Sequence, residues 1–432
     1  MRRTRPQHLH VSPTLHRASH IGTIITAVIC VLVVFIAGTL AYGWHTGALD
    51  AVLGHHKSTT SSAADTPGDA GKSLQRSASP APAQKDSPKT QAERLVSAMS
   101  LDEQVGQLVM VPLFAGTDPS ALSTAIQDYH AGSALMIGNW TTGTEGVKAA
   151  TDQLQQYAPA NNQLIIATDQ EGGQVQHLTG TGFDTMPSAT EQGTMSSDQL
   201  RAAAKGWGSQ LSAAGVNVDL APVLDTVTIN RAANAPIGAL DRDFGLDAAG
   251  NASHGTAFIQ GLRDAKVEST IKHYPGLGSV TGNTDFTTTG IVDTATTLDG
   301  DEIRAFDTTI QQASPAMVMM ALATYQAIDP DNPAVFSSTI ITQHLRTDLG
   351  YDGVITSDSL SAEALSGYDT TQLGVKMVEA GGDLACIGQT DYVEPIIRGL
   401  RTRAAEDQDF AKKVTASAVR VMTLKIEMGL VR

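Results

Sequence analysis

Charged side chains follow four apolar stretches of this 432-residue chain, each just where a predicted strand ends. LIIAT precedes Asp169, VNVDLAPVL precedes Asp225, an apolar run precedes Lys272 and His273, and GVITS precedes Asp358. Carboxylates can act as nucleophiles or transfer protons, although a single one could equally be a helix N-cap or a turn residue. Charged groups at four equivalent strand ends predict one functional site built from several strands.

The longest of these stretches, IKHYPGLGSVTGNTD at residues 271–285, combines a strand-like start with a loop. The pair Lys272-His273 is followed by one proline, three glycines and finally Asp285. Proline and glycine break a helix, and glycine lets the backbone come close to a ligand. Taken alone, the stretch fits a strand with a long turn as well as it fits a binding loop.

Apolar runs of strand length alternate with helical patterns through residues 91–432. Strands are predicted at 107–112, 134–137, 164–168, 216–222, 267–271, 316–321, 354–356 and 383–387, and helices include 198–214, 248–264, 298–312 and 410–428. This alternation predicts an α/β fold, a (β/α)8 TIM-type barrel, with its chemistry at the carboxyl ends of the strands. A doubly wound open sheet fits a count of eight strands less well.

Several motifs resemble those of glycoside hydrolase family 3, in its single-domain β-N-acetylglucosaminidase (β-hexosaminidase) branch. KHYPGLG resembles KHFPGHG, DQEGGQVQHL resembles D-Q-E-G-G-x-V-x-R, and SDSL resembles S-D-D-L. LAPVLD and IGALDRDFG resemble A-P-V-x-D and I-G-x-R-[SA]-F. The resemblance covers roughly residues 95–390 and implies a retaining glycosidase that releases terminal β-linked N-acetylglucosamine from cell-wall-derived or related glycans.

The resemblance also implies roles for individual residues, and it makes Asp358 the nucleophile. The family's sugar-binding positions fall on Asp169, His177, Arg242, Lys272 and His273. At His177 the family has arginine, so a fixed charge with several donors is lost here, and this histidine could equally be a loop residue without function. The alternatives for the other residues are an N-cap at Asp358 and a structural set of ion pairs at the barrel mouth.

The acid/base position departs from the family pattern. The family has an Asp and, two residues later, a His, where this chain has Asn283 and Asp285. A carboxyl group can transfer the proton if burial or a nearby carboxylate raises its pKa, so Asp285 is the predicted acid/base. Asp241, Asp243 and His177 are the next candidates.

Two other functions stay open on the sequence. If Asp285 only stabilises its loop, the barrel would bind amino sugars without cleaving them. Alternatively, the enzyme would keep its hydrolytic chemistry but act on β-glucose or another hexose.

The charge and motif content also limit the partners. Residues 91–432 contain 20 basic and 40 acidic side chains, a formal charge of −20, which argues against a nucleic-acid partner. No cofactor is predicted, because the Gly276-Leu277-Gly278 stretch lacks the context of a nucleotide-binding loop. No metal is predicted either, since His, Cys and Asp show no ligand spacing. The predicted partner is a carbohydrate, and a monomer is expected.

The N-terminal part predicts a location outside the cytoplasm. Residues 1–20 are basic, and residues 21–44 form an uncharged apolar run long enough to span a bilayer as a helix. This length favours an uncleaved transmembrane anchor over a cleaved signal peptide, with secretion as the alternative. Residues 45–90, rich in Ser, Ala and Pro, are predicted to be a disordered tether to a catalytic domain at 91–432.

Overall fold

The structure is a computed structural model that describes residues 86–431. The predicted anchor at 21–44 and nearly all of the predicted tether lie outside the described residues. In the part that is described, no helix is long and apolar enough to cross a membrane. The first element is a helix at Pro88–Ser97, which begins just before the predicted start of the catalytic domain.

Eight parallel strands form a nearly closed barrel, as the alternation of apolar runs predicts. They are β1 Val109–Phe114, β2 Ser133–Ile137, β3 Ile165–Thr168, β4 Val218–Asp219, β5 Glu268–Tyr274, β6 Met317–Met320, β7 Val354–Ser357 and β8 Ala385–Cys386. From β1 to β7, each strand pairs with the next in sequence, and β8 pairs with β1. A single bridge between Thr356 and Leu384 links β7 to β8.

Helices surround these strands. The longer α-helices are Gly143–Tyr157, Ser197–Ala213, Ala248–Asp264, Asp301–Ala313, Thr370–Ala380, Val393–Glu406 and Gln408–Glu427, and a π-helix covers Thr339–Asp348. Shorter helices are Leu101–Gln107, Ser123–Gln127 and Ala189–Gln192. The helix predicted at 298–312 begins later because Gly300 N–H donates to the Thr297 carbonyl at 3.0 Å, which makes a turn there. The predicted start of that helix was therefore wrong by about one turn.

The strand side chains alternate between the barrel interior and the surrounding helices. Those that fill the interior include Met110, Leu135, Ile165, Ala167, Val218, Met317, Met319, Val354, Leu384 and Cys386. Because successive side chains on a strand point to opposite faces, the inward series of β3 continues to Asp169 and that of β7 to Asp358. Thr270 is in register with the inward Met317, so β5 places Lys272 on the same side.

Candidate active site

A buried cluster of two cations and two carboxylates lies at the carboxyl ends of the strands. Lys272 Nζ lies 2.5 Å from both Asp169 Oδ1 and Glu171 Oε1. The Arg242 guanidinium binds Glu171 through two parallel contacts, at 2.9 Å from Nε and 2.8 Å from Nη2. Bidentate pairing of this kind fixes the planes of both groups. The predicted binding residues Asp169, Arg242 and Lys272 are therefore brought together.

The charges in this cluster keep one another ionised. Burial alone would raise the pKa of Glu171, but Arg242 and Lys272 hold it well below its usual range. Burial would likewise lower the pKa of Lys272, but Asp169 and Glu171 outweigh it and raise that pKa. The cluster is thus charged and held in position by its own hydrogen bonds, as preorganised electrostatic binding requires.

His273 is oriented by a second buried carboxylate, Asp225. The His273 Nδ1 atom lies 2.7 Å from Asp225 Oδ2, and Leu277 N–H donates to Asp225 Oδ1 at 2.7 Å. With its Nδ1 proton donated to Asp225, His273 turns Nε2 towards Arg242, whose Nη2 is 3.4 Å away. Asp225 therefore fixes both the ring and the loop that follows it.

Sequence reasoning placed Asp225 at one of the four strand ends of the predicted site but gave it no specific role, and it gave Glu171 no place in the site at all. Glu171 is the acid of DQEGG, and Asp225 ends LAPVLD. Each is buried and satisfied by cations or N–H donors of the site. For Glu171 the available signal was a second acid in a motif that already holds the binding carboxylate Asp169, and for Asp225 it was the strand-end position itself.

His177 lies beside Asp169 at the edge of this cluster. Its Nε2 is 3.9 Å from Asp169 Oδ2, and its side chain is partly exposed. The His177 backbone N–H donates to the Asp169 carbonyl at 3.3 Å. The position where the family has arginine thus faces the site, but through a shorter side chain.

Asp358 and Asp285 share one side of the mouth. Asp358 is half-buried, and Ser359 N–H donates to its Oδ1 at 2.7 Å. The first helical turn after it is Glu363–Leu365, which begins after Ala362, so Asp358 caps no helix. Asp285 stands at the solvent-facing rim, where loss of hydration and then the Asp358 charge raise its pKa to about 6.

The loop that carries Asp285 is closed at its base. Thr281 N–H and Gly282 N–H both donate to the Gly290 carbonyl, at 3.0 and 2.8 Å. A Cβ atom on Gly282 would lie 2.0 Å from the Thr289 carbonyl oxygen, so this approach requires glycine. Residues 281–290 therefore form a self-contained loop, called here the acid/base loop.

The tip of the acid/base loop is bound to the chain that follows the nucleophile candidate. Glu363 N–H donates to the Asp285 carbonyl at 3.2 Å, and Ala364 N–H donates to the Thr284 carbonyl at 3.0 Å. Asn283 Oδ1 accepts from Asp285 N–H at 2.9 Å. The first two contacts tie the Asp285 loop to the chain that follows Asp358, and the third joins the Asn283 side chain to the Asp285 backbone.

Asp241 and Asp243, the other two candidate acids, both form ion pairs with Arg231. Arg231 Nη2 lies 3.1 Å from Asp241 Oδ1 and 2.9 Å from Asp243 Oδ1. Asp243 is also buried. Both carboxylates are thus engaged by the same cation, Arg231.

Two further features lie away from the chemistry. A cavity of about 920 Å³ lies at the opposite end of the barrel, with Glu268, Tyr351 and Arg420 in its wall, and it contains none of the predicted site residues. Within residues 86–431, no group of three or more His, Cys, Asp or Glu side chains is placed to hold a metal ion.

Comparison with known proteins agrees with this architecture. A model of the "Glycosyl hydrolase family 3 N terminal domain" matches residues 100–424. Beta-hexosaminidase LpqI of Mycobacterium tuberculosis is 31% identical over 338 residues, which is 76% of this chain and 83% of the relative. The structure of a beta-N-acetylhexosaminidase from Beutenbergia cavernae is 39% identical, with a TM-score of 0.73, and the match covers 77% of this chain and 99% of that one.

A barrel with charged strand ends and relatives of this kind defines a glycosidase, an enzyme that acts on O-glycosyl bonds. The chain belongs to glycosyl hydrolase family 3. Its predicted resemblance to the β-hexosaminidase branch of that family is confirmed.

Proposed function

We propose that this protein is a retaining β-N-acetylhexosaminidase that releases terminal β-linked N-acetylglucosamine through a covalent intermediate on Asp358. The observation that carries the proposal is that Asp285 lies on a loop hydrogen-bonded to the chain that follows Asp358 at the end of β7, close enough for the Asp358 charge to raise the pKa of Asp285. The names of the relatives, β-hexosaminidase and β-N-acetylhexosaminidase, support the choice of sugar.

The two carboxyl groups divide the reaction into two displacements. In the first, an Asp358 oxygen attacks the anomeric carbon while protonated Asp285 gives its proton to the leaving glycosidic oxygen. In the second, Asp285 takes a proton from a water molecule, whose oxygen attacks the anomeric carbon and releases Asp358. Both displacements invert the anomeric carbon, so the product retains the β configuration.

The buried cluster supplies the binding groups of the first subsite. Lys272 and Arg242 can donate to sugar hydroxyls, and Asp169 can accept from them. Glu171 and Asp225 do not need to touch the sugar, because they fix the positions of Arg242, Lys272 and His273. The geometry thereby favours one orientation of a terminal sugar.

The test is an assay of the purified chain with chromogenic β-glycosides of N-acetylglucosamine, glucose and xylose. We expect hydrolysis of the N-acetylglucosaminide, with the β-anomer as the first product detected by NMR. Faster cleavage of the glucoside would change the sugar, and an α-anomer as first product would refute retention. Binding of N-acetylglucosamine without any cleavage would support the non-catalytic alternative.

The pH dependence should report Asp285. Because its pKa is raised to about 6, the carboxyl group is protonated below that pH and loses its proton above it. The first displacement requires the protonated form, so kcat/KM for an unactivated glycoside should fall as the pH rises above about 6. A pH–rate profile measures this fall, which should disappear in Asp285→Ala. A basic limb that is unchanged in the variant would assign it to another group.

We further propose that the enzyme acts outside the cytoplasmic membrane, on glycans derived from the cell wall, and is anchored by residues 21–44. The support is the uncharged apolar run behind a basic segment. Membrane fractions should contain the full-length chain, as measured by fractionation with N-terminal sequencing. A mature chain that begins after Ala41 and is free in the medium would instead show a cleaved signal peptide.

A further inference from the structure

An aromatic side chain next to the candidate acid/base is almost fully exposed. Phe286, the residue after Asp285, is 80% exposed, whereas the other exposed large apolar side chains of residues 86–431 reach at most 48%, at Val292. Exposing a phenyl ring to water costs free energy in proportion to its apolar surface area. An exposed aromatic ring beside an active site can contact the substrate.

The exposure of Phe286 does not come from a loose loop. Phe286 N–H donates to the Asn283 carbonyl at 3.0 Å, inside the closed acid/base loop. The two preceding residues, Thr284 and Asp285, accept from Ala364 and Glu363 through their carbonyls. The backbone that carries the ring is thus held by hydrogen bonds within the loop and by hydrogen bonds from the chain that follows β7.

The chemistry of the proposed function determines what lies beside this ring. An acid/base must reach the glycosidic oxygen, and that oxygen joins the released sugar to the leaving group. A residue adjacent to Asp285, on the solvent side of the mouth, is therefore next to the leaving group. The buried cluster of Lys272, Arg242 and Asp169 is instead available to the terminal sugar.

We infer that Phe286 is the binding platform for the sugar on the leaving side of the scissile bond. The C–H face of a pyranose ring is apolar and can cover the face of a phenyl ring, as flat apolar groups do in protein interfaces. Because the Phe286 side chain cannot form conventional hydrogen bonds, it would favour any sugar ring on the leaving side and would not distinguish between patterns of sugar hydroxyl groups. This inference rests on the proposed function, since it needs Asp285 at the glycosidic oxygen.

A matched pair of substrates isolates the contact. Di-N-acetylchitobiose and methyl β-N-acetylglucosaminide share the released sugar, and both have alkoxide leaving groups that need a proton. Only the first has a ring on the leaving side. We expect Phe286→Ala to lower kcat/KM about three- to tenfold on the disaccharide, in line with an aromatic contact, and less than about twofold on the methyl glycoside.

Two further variants complete the test. Phe286→Trp should retain wild-type kcat/KM on the disaccharide, because it keeps an aromatic face. Val292→Ala removes another exposed apolar side chain from the same region and should leave both substrates unaffected.

The outcomes are distinct. Equal losses of Phe286→Ala on both substrates would show that the ring acts by positioning Asp285, and no loss on either would show that it contacts no substrate. Both results would overturn the inference. If the wild-type chain cleaves neither substrate, the proposed function itself fails, and the inference falls with it before any variant is compared.

Discussion

Replacement of Asp358 by alanine should abolish glycosidase activity, with kcat reduced by about 10⁴-fold or more, as expected when a nucleophile is lost. Without the carboxylate, no covalent glycosyl intermediate can form. The fold should survive, since the side chain is half-buried and accepts its hydrogen bond from the adjacent Ser359 N–H. Steady-state kinetics on the chromogenic N-acetylglucosaminide measure the loss of activity. Circular dichroism and thermal unfolding of the wild-type and Asp358→Ala proteins measure whether the fold is retained.

Asp352→Ala is a matched control, because Asp352 is an exposed aspartate just before the opposite end of the same strand. It should retain full activity. Trapping with a slow fluorinated substrate followed by peptide mapping should label the peptide that contains Asp358. A label on another peptide, or more than about a tenth of wild-type kcat in Asp358→Ala, would place the nucleophile elsewhere.

Replacement of Asp285 by alanine should lower activity unequally between substrates. Loss of a general acid typically reduces rates by about 10²–10⁴-fold, and the effect should be largest for natural glycosides, whose leaving groups need a proton. Activated aryl glycosides should be much less affected in their first step. Added azide, which needs no general base, should partly restore the second step and yield a glycosyl azide of retained configuration.

Asp299→Ala, which removes an exposed aspartate outside the acid/base loop, provides the comparison and should behave as wild type. If Asp285→Ala slows both substrate types equally and azide has no effect, the proton comes from another group. Since Asp241 and Asp243 are paired with Arg231, His177 would then be the first group to test.

The apolar runs predicted all eight barrel strands because each strand is buried on both faces and its sequence is correspondingly apolar. The ends were less predictable. β5 was expected to stop at residue 271 but continues to Tyr274, because buried carboxylates from distant segments neutralise Lys272. β4 is shorter than the predicted 216–222, although Leu220 N–H still donates to the Thr168 carbonyl beyond its end; Pro222, further on, has no N–H with which to extend the ladder.

The motifs predicted which residues lie together at the strand ends, but they did not give the pairings among them. Arg242 and Glu171 are 71 residues apart in sequence, and no local pattern indicates that one binds the other. The contact of the Asp285 carbonyl with Glu363 N–H involves backbone atoms, so side-chain identity carries almost no information about it. Such contacts follow from the closure of the barrel and not from residue type.

The closed base of the acid/base loop has an evolutionary consequence. The hydrogen bonds of Thr281 and Gly282 to Gly290 close the loop within ten residues, and its tip contacts Glu363 and Ala364 through backbone atoms. A change of an exposed side chain at the tip therefore need not propagate into β5 or the helices. Under the proposed mechanism, one proton-transferring side chain could therefore replace another on this loop without displacing Asp358 or the cluster of Lys272, Arg242 and Asp169. The proposed aspartate at the position of the family histidine would be one such exchange, made in the loop and not in its scaffold.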